Sequence, residues 1–92
     1  MKAIRIHPDD NVATLIESVK EGGEVSILSA EGRVVSTVTA MNAAPLAHKI
    51  AIVTIETNTD VIKFGEVIGR ATHTIDRGMH VHVHNVESRR VR

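Results

Sequence analysis

Histidine is concentrated near one end of the chain, where His80, His82 and His84 alternate with valine. On a β-strand, side chains two residues apart share a face and start ~6.5–7 Å apart, so the three imidazoles would lie together while Val81 and Val83 face the other way. Two such imidazoles can converge on one metal ion at ~2.0–2.1 Å each. The spacing therefore predicts a metal site at His80 and His82. An exposed polar strand face, or histidines that donate hydrogen bonds and carry protons, would have the same pattern.

A second candidate site is the pair His48 and Lys49, which follows a loop predicted at residues 41–47. A neutral histidine beside a lysine can bind an anion such as a carboxylate, with the lysine supplying the charge and the histidine acting as acid or base. A pair at a loop edge that binds nothing would have the same sequence. The Asp-Asp-Asn run at residues 9–11 offers too few oxygen ligands to specify Ca²⁺, so we expect it to cap or form a turn.

The composition excludes several classes of protein. A chain of 92 residues has room for one domain, and 42% hydrophobic residues argue against disorder. No apolar run approaches the ~18 residues of a membrane span, and equal numbers of acidic and basic residues give no field that would attract nucleic acid. There is no cysteine, no glycine-rich phosphate loop and no serine nucleophile motif. We expect a cytoplasmic protein, with a basic tail at residues 89–92, that binds neither nucleic acid nor membranes.

The elements that position these residues are predicted to be strands. Val, Ile and Thr supply 13, 10 and 8 of the residues, while Leu occurs 3 times and Phe64 is the one aromatic residue. β-Branched side chains favour pleated surfaces, so the composition predicts an all-β domain with a core of small aliphatic side chains. We expect strands at residues 4–7, 25–28, 34–39 and 50–55. Since a chain this short hides only ~60–65% of its surface, we expect it to share its stability with a partner.

A short unit occurs three times in the sequence. In each copy an apolar residue is followed three positions later by Gly or Asn, and six positions later by Val. The copies are Val19-Gly22-Val25, Ile55-Asn58-Val61 and Ile75-Gly78-Val81. Because Gly and Asn tolerate positive φ, the unit predicts a strand, a tight turn with a left-handed residue, and another strand. By this analogy residues 12–19, whose spacing also fits a helix, are predicted to form a strand.

Four segments of the chain resemble the SAF domain of the altronate/galactarate dehydratase family in their order and spacing. They are Asp10-Asn11-Val12-Ala13, His48-Lys49-Ile50-Ala51, residues 61–65 with Ile68-Gly69, and residues 78–85. The resemblance covers nearly the whole chain. It departs from the family at Ala47 and Asn58, where the family usually has glycine.

The resemblance implies a β-clip fold for a single SAF domain over residues 1–92. In that family the domain is part of a large sugar-acid dehydratase or a separate small subunit, as in sulfolactate sulfo-lyase, and residues 85–90 look like the ending of a free-standing subunit. The implied reaction is metal-assisted β-elimination from a sugar acid or a sulfonated hydroxy acid. We therefore expect a large dehydratase subunit as partner; whether the isolated chain self-associates is left open.

The site residues follow from the resemblance together with the patterns above. They fall into three groups: catalytic His48 and Lys49, substrate-binding His84 and Asn85, and metal-binding His80 and His82. The metal is expected to be Fe²⁺ or Mn²⁺, shared with or held by the large subunit. A non-catalytic carbohydrate-binding module or a small metal-binding module with the same fold is the alternative, since fold alone does not determine function.

Overall fold

The computed structural model describes residues 1–88, which contain nine short strands and no helix. The strands are β1 (Lys2–Ile4), β2 (Val12–Leu15), β3 (Glu24–Leu28), β4 (Val34–Thr39), β5 (Lys49–Ala51), β6 (Asp60–Lys63), β7 (Glu66–Ala71), β8 (His80–Val81) and β9 (Val86–Ser88). The prediction of an all-β fold with many short strands and tight turns is confirmed. The predicted basic tail, residues 89–92, lies outside the described residues. In the part described, no helix has the length and apolar character needed to cross a membrane.

The strands form two sheets. The larger sheet has the order β4-β3-β1-β2-β5-β8, and its pairs are antiparallel except for β1 with β3. The smaller sheet is antiparallel, with the order β6-β7-β9. The segments that carry the candidate site residues, β5 and β8, therefore lie at one edge of the larger sheet, with β8 outermost.

Each face of the larger sheet at β2 and β5 contributes to a separate core. Ala13 and Ile50 belong to one cluster of buried aliphatic residues, and Val12 and Ala51 belong to the other, because neighbours along a strand point to opposite faces. The second cluster also contains Val61 of β6, so it lies between the larger and the smaller sheet. The predicted core of small aliphatic side chains is confirmed.

The strand–turn–strand unit occurs four times, one more than the sequence predicted. The additional copy is Ala44-Ala47-Ile50, in the segment that was expected to be a loop at residues 41–47. Ala44 forms an isolated bridge with Val19, just as Ile55 does with Ile75, so the four copies associate as two pairs. This copy was not recognised in the sequence, because alanine occupies both the apolar position and the position that is Gly or Asn in the other copies.

The third residue after each bridge has a positive φ. The values are 84° at Gly22, 74° at Ala47, 68° at Asn58 and 93° at Gly78. The backbone N–H of each donates to a carbonyl beside the paired copy, respectively Ala40, Leu15, Ala71 and Ala51, at 2.8 Å in every case. The prediction of a left-handed residue in each unit is thus confirmed. Ala47 also has the left-handed conformation, although it costs an alanine ~1–2 kcal/mol.

Three predicted strands are shorter than expected, and the one predicted to carry the three C-terminal histidines is interrupted. The strand expected at residues 12–19 is β2, which ends at Leu15 before a bend. The strand expected at residues 4–7 is β1, which ends at Ile4, and the strand expected at residues 50–55 ends at Ala51 before a bend. The prediction that all three C-terminal histidines share one strand is wrong. β8 ends at Val81, and residues 82–85 form a turn that leaves Val83 81% exposed.

The polar run at residues 9–11 ties the start of the chain to the smaller sheet. The Asp10 carboxylate accepts hydrogen bonds from the backbone N–H groups of Ile6, His7 and Gly65. Asn11 bonds to the backbone of β6 through both side-chain atoms. These residues therefore form and anchor a turn, as predicted.

Candidate functional site

Three histidines from two parts of the chain meet at the edge of the larger sheet. Nδ1 of His48 lies 2.9 Å from Nε2 of His80. The rings of His48 and His82 stack with their centroids 4.0 Å apart and their planes at 22°. One ring nitrogen from each of the three lies within 4.8 Å of the other two. We call His48, His80 and His82 the histidine triad.

Strand pairing explains why these side chains meet. In the antiparallel pair of β5 and β8, Lys49 lies opposite Val81 and Ile50 lies opposite His80. Continuing that register by one residue places His48, just before β5, opposite His82, just after β8. Directly opposed residues in an antiparallel pair have Cβ atoms ~4.5–5.5 Å apart, which accounts for the stacked rings.

Two asparagine side chains fix the backbone that carries His80 and His82. Asn85 is 6% exposed; its Oδ1 accepts a hydrogen bond from the N–H of His82 at 3.0 Å, and its Nδ2 donates to the carbonyl of His80 at 2.9 Å. Asn42 accepts from the N–H of His80 at 3.1 Å. The amide of Asn85 is therefore engaged within the chain, where it closes the turn at residues 82–85.

His84 lies beside the triad and is more open to solvent. Its ring centroid is 5.2 Å from that of His80, with the planes tilted by 39°. The residue is exposed, while the three triad residues are half-buried. His84 is therefore placed where it can contact a molecule bound at the triad from the solvent side.

The surroundings of His80 and His82 favour the neutral form of their imidazoles. Partial burial lowers the pKa of His80, and the positive charges of His84, His48, His82 and Lys49 lower it further. The pKa of His82 is also lowered, first by desolvation and then by its cationic neighbours. Neutral imidazole is the form that binds metal ions, so this environment prepares the ring nitrogens as ligands near neutral pH.

Lys49 points to the other face of the sheet from His80. Its pKa is lowered by burial and by the charge of Lys63. It lines an open pocket of about 170 Å³ together with His82, Ile68, Val83, Val86 and Ser88. The side chains of the predicted catalytic pair, His48 and Lys49, therefore lie on opposite faces of the sheet. His82 belongs to the triad and also lines the pocket beside Lys49.

The triad has the donor chemistry and spacing that a divalent metal ion requires. Two nitrogens held at ~2.1 Å from one ion at a right angle are ~3.0 Å apart, close to the 2.9 Å between His48 and His80. The three rings are stacked, with interplanar angles of 27°, 22° and 9°, so the side chains must rotate before the in-plane lone pairs of all three nitrogens point to one ion. With that adjustment the three residues fit a metal ion.

Sequence reasoning named His48, His80 and His82 as site residues but did not predict that His48 contacts the other two, and it missed Asn42. His48, which was predicted to be catalytic, has a ring nitrogen within 4.8 Å of those of His80 and His82. Asn42 was expected to be an ordinary loop residue. The contact of His48 with His82 depends on the pairing of β5 with β8, which the sequence does not indicate.

Comparisons with known proteins give one consistent family. The sequence profile of the altronate/galactarate dehydratase SAF domain matches residues 1–89. Altronate dehydratase of Escherichia coli (strain K12) is 39% identical over 88 residues, which are 96% of this chain and 17% of that protein. Altronate dehydratase of Bacillus subtilis (strain 168) is 31% identical over 85 residues, 92% of this chain and 16% of that protein.

A shorter relative is the (2R)-sulfolactate sulfo-lyase subunit alpha of Chromohalobacter salexigens. It is 45% identical over 49 residues, which are 53% of this chain and 52% of that subunit. The chain thus spans less than a fifth of the altronate dehydratases it matches, at 17% and 16%, and its match spans about half of the sulfo-lyase subunit.

Proposed function

The chain belongs to the family of altronate/galactarate dehydratase SAF domains, and from that membership we propose that it is the small subunit of a sugar-acid dehydratase. In this proposal it acts with a large subunit and contributes a metal-binding histidine triad to a shared active site. The observation that carries the proposal is the convergence of one ring nitrogen from each of His48, His80 and His82 within 4.8 Å.

The need for a large subunit is supported by the composition of the site. The triad and Lys49 offer imidazoles and one ammonium group, and the electrostatic neighbours of His80 and His82 are all bases. Elimination of water from a hydroxy acid needs a base for the proton α to the carboxylate and assistance for the leaving hydroxide. The altronate dehydratases, of which the chain matches 17% and 16%, have much further chain that can supply these groups.

The proposed reaction removes a proton from the carbon next to the carboxylate and a hydroxide from the following carbon. The two leave as water, and the carbon–carbon double bond that forms gives an enol; a sulfonated acid would lose sulfite in place of hydroxide. A divalent ion, Fe²⁺ or Mn²⁺, would supply Lewis-acid polarisation of a substrate oxygen when bound. His48, His80 and His82 would hold that ion, so the role proposed for His48 changes from acid or base to ligand.

The remaining residues have supporting roles in the proposal. His84 contacts the substrate and carries protons from the open side of the triad, because it is exposed and its ring lies 5.2 Å from that of His80. Asn85, first expected to bind substrate, is proposed to position His80 and His82, because its amide bonds to the backbone of both. Lys49 supplies positive charge on the side of the pocket.

Reconstitution with a relative tests this function. The probe is altronate dehydratase of Escherichia coli from which the segment aligned with this chain has been removed, and the readout is the dehydration of altronate. We expect the separate chain to restore activity, and the variants His80→Ala and His82→Ala to restore it about 10–100-fold less well. His73→Ala, which removes an exposed histidine away from the triad, is the matched control.

A chimeric enzyme, in which this chain replaces the aligned segment, repeats the test without relying on the truncated protein. Equal activity of the triad variants and the His73→Ala control in both formats would contradict the proposed metal-binding role. Metal binding by the chain with no gain in activity in either format would favour the alternative of a metal-binding module.

A further inference from the structure

Lys49 is a cation held between the two sheets. Its register partners on the neighbouring strands are Thr14 and Val81, and directly opposed residues place their side chains on the same face. Val81 is fully buried in the cluster that lies between the larger and the smaller sheet. The side chains of Lys49 and Thr14 therefore share the face that looks toward the smaller sheet.

Neither polar group at this position has a hydrogen-bonding partner within residues 1–88. The Lys49 ammonium makes no hydrogen bond or ion pair with any described residue. Thr14 Oγ1 is buried and likewise has no partner. Buried polar groups in folded proteins are almost always satisfied, and leaving one unpaired costs ~1–3 kcal/mol. The half-buried Lys49 ammonium thus faces an open pocket without a protein counter-charge among residues 1–88.

The charges around Lys49 define which ligand fits. The charged group that acts most strongly on it is Lys63, another cation. His82, on the other side of the pocket, has only bases as its electrostatic neighbours. Since the described carboxylates do not balance this charge, the missing partner is an anion.

The walls of the pocket limit the size and character of that anion. Ile68, Val83 and Val86 make much of the lining apolar, and Ser88 adds a hydroxyl. The volume of about 170 Å³ is below the ~300 Å³ at which drug-sized sites begin, so a nucleotide or another large cofactor does not fit. A small organic acid with a short carbon chain does.

We propose that this pocket binds the carboxylate group of a small hydroxy acid, with the Lys49 ammonium as counter-charge and the Ser88 hydroxyl as hydrogen-bond donor. His82 lines the pocket and belongs to the triad, so the carbon chain of the bound acid extends toward the triad. The identification of this acid as the dehydratase substrate rests on the proposed function. The anion site itself does not, because it needs neither metal nor large subunit.

The test is an NMR titration of the full chain in the presence of EDTA with lactate, a 2-hydroxy acid. We expect saturable shifts of the backbone amides of Lys49, Ile68 and Ser88. Lys49→Met should weaken binding about 10-fold or more, because it removes a charge-assisted hydrogen bond, and Ser88→Ala should weaken it several-fold. Lys20→Met removes the same charge at an exposed turn and should leave the affinity unchanged.

Ligand variants keep the test valid even if Lys49→Met fails to fold. Lactamide has the shape of lactate without its charge and should not bind at comparable concentrations. Shifts that do not saturate by about 100 mM lactate, or equal binding of lactate and lactamide, would overturn the anion site. Tighter binding of inorganic phosphate than of lactate would overturn the carboxylate assignment. Because metal is absent throughout, failure of the histidine triad would not affect any of these results.

Discussion

At the scale of single residues, the site depends on how histidines separated in sequence are brought within reach of one another. The alternation at His80 and His82 is visible in the sequence and predicted a pair of ligands. The contact of His48 with His80 and His82 could not be predicted, because it depends on the register of β5 with β8, where Ile50 lies opposite His80. Sequence spacing thus predicted that histidines cluster here, and long-range strand pairing brings His48 into the cluster.

The role of Asn85 depends on local backbone geometry that the sequence does not reveal. An asparagine after a run of histidines was expected to contact substrate, yet the structure buries it and uses both ends of its amide on the backbone of His80 and His82. Local geometry of this kind depends on where the strand stops. Because β8 ends at Val81, a turn follows, and the buried polar side chain closes it.

The first prediction concerns this turn. Asn85→Ala removes two hydrogen bonds to backbone groups and should lower the free energy of unfolding by about 1–3 kcal/mol. It should also weaken metal binding by about 10-fold or more, because the orientation of His80 and His82 is no longer fixed. Urea unfolding and metal titration check the two effects. Asn58→Ala, at a turn away from the triad, is the control that should not alter metal affinity; a similar loss of metal affinity there would contradict the positioning role.

At the scale of elements, the fold is a unit used four times in two pairs. Three copies were predicted because Gly22, Asn58 and Gly78 mark them, and their left-handed conformations are confirmed. The copy with Ala47 was missed because nothing in its residue types distinguishes it from a loop. Its pairing with the first copy, through the bridge between Val19 and Ala44, is a tertiary contact that the sequence does not indicate.

The turn glycines differ in how tightly they pack, which gives the second prediction. A Cβ at Gly78 would contact the carbonyl oxygen of Thr39, whereas a Cβ at Gly22 would have nothing within 4 Å. Both residues have a positive φ, at 93° and 84°. Gly22→Ala should therefore cost about 1 kcal/mol from backbone strain alone, and Gly78→Ala about 2 kcal/mol or more from strain plus steric overlap. Urea unfolding of both variants measures this, and equal losses would contradict the assigned contact.

At the scale of the whole molecule, one small aliphatic core lies on each face of the larger sheet, and a cationic pocket lies between the two sheets. The all-β class and the aliphatic core followed from the composition, because β-branched residues dominate and aromatic residues are nearly absent. The division into two sheets could not be predicted, since it depends on which faces of β2 and β5 meet the smaller sheet. The candidate site lies at the edge of the larger sheet that β5 and β8 form.

The burial of His80 and His82 and the bases around them predict how the stability of the chain depends on pH. In the folded chain the pKa values of His80 and His82 lie below their ordinary value, while in the unfolded chain they return to ~6.5. Between the two values the unfolded state binds more protons, so stability rises with pH through that window. Below the lowered pKa values of the folded state, the chain loses the full stability that the protonation of His80 and His82 costs. Above about pH 6.5 both histidines are neutral in either state, and this loss disappears.

The measurement is urea unfolding of the metal-free chain at a series of pH values from about 5 to 8. We expect the midpoint to rise with pH across the window, and the double variant His80→Gln, His82→Gln to show a flatter rise. His73→Gln should keep the slope of the unmodified chain. A slope in the double variant as steep as in the unmodified chain would show that the triad does not cause the dependence.

The central claim is that His48, His80 and His82 form a single metal site, and the most direct test is calorimetric titration of the chain with Mn²⁺, Fe²⁺ and Zn²⁺. The account predicts binding of one ion per chain and a loss of affinity of about 10–100-fold on replacing any one triad residue by alanine, with no change in His73→Ala. Affinity that is unchanged when His48, His80 and His82 are all replaced by alanine would contradict it.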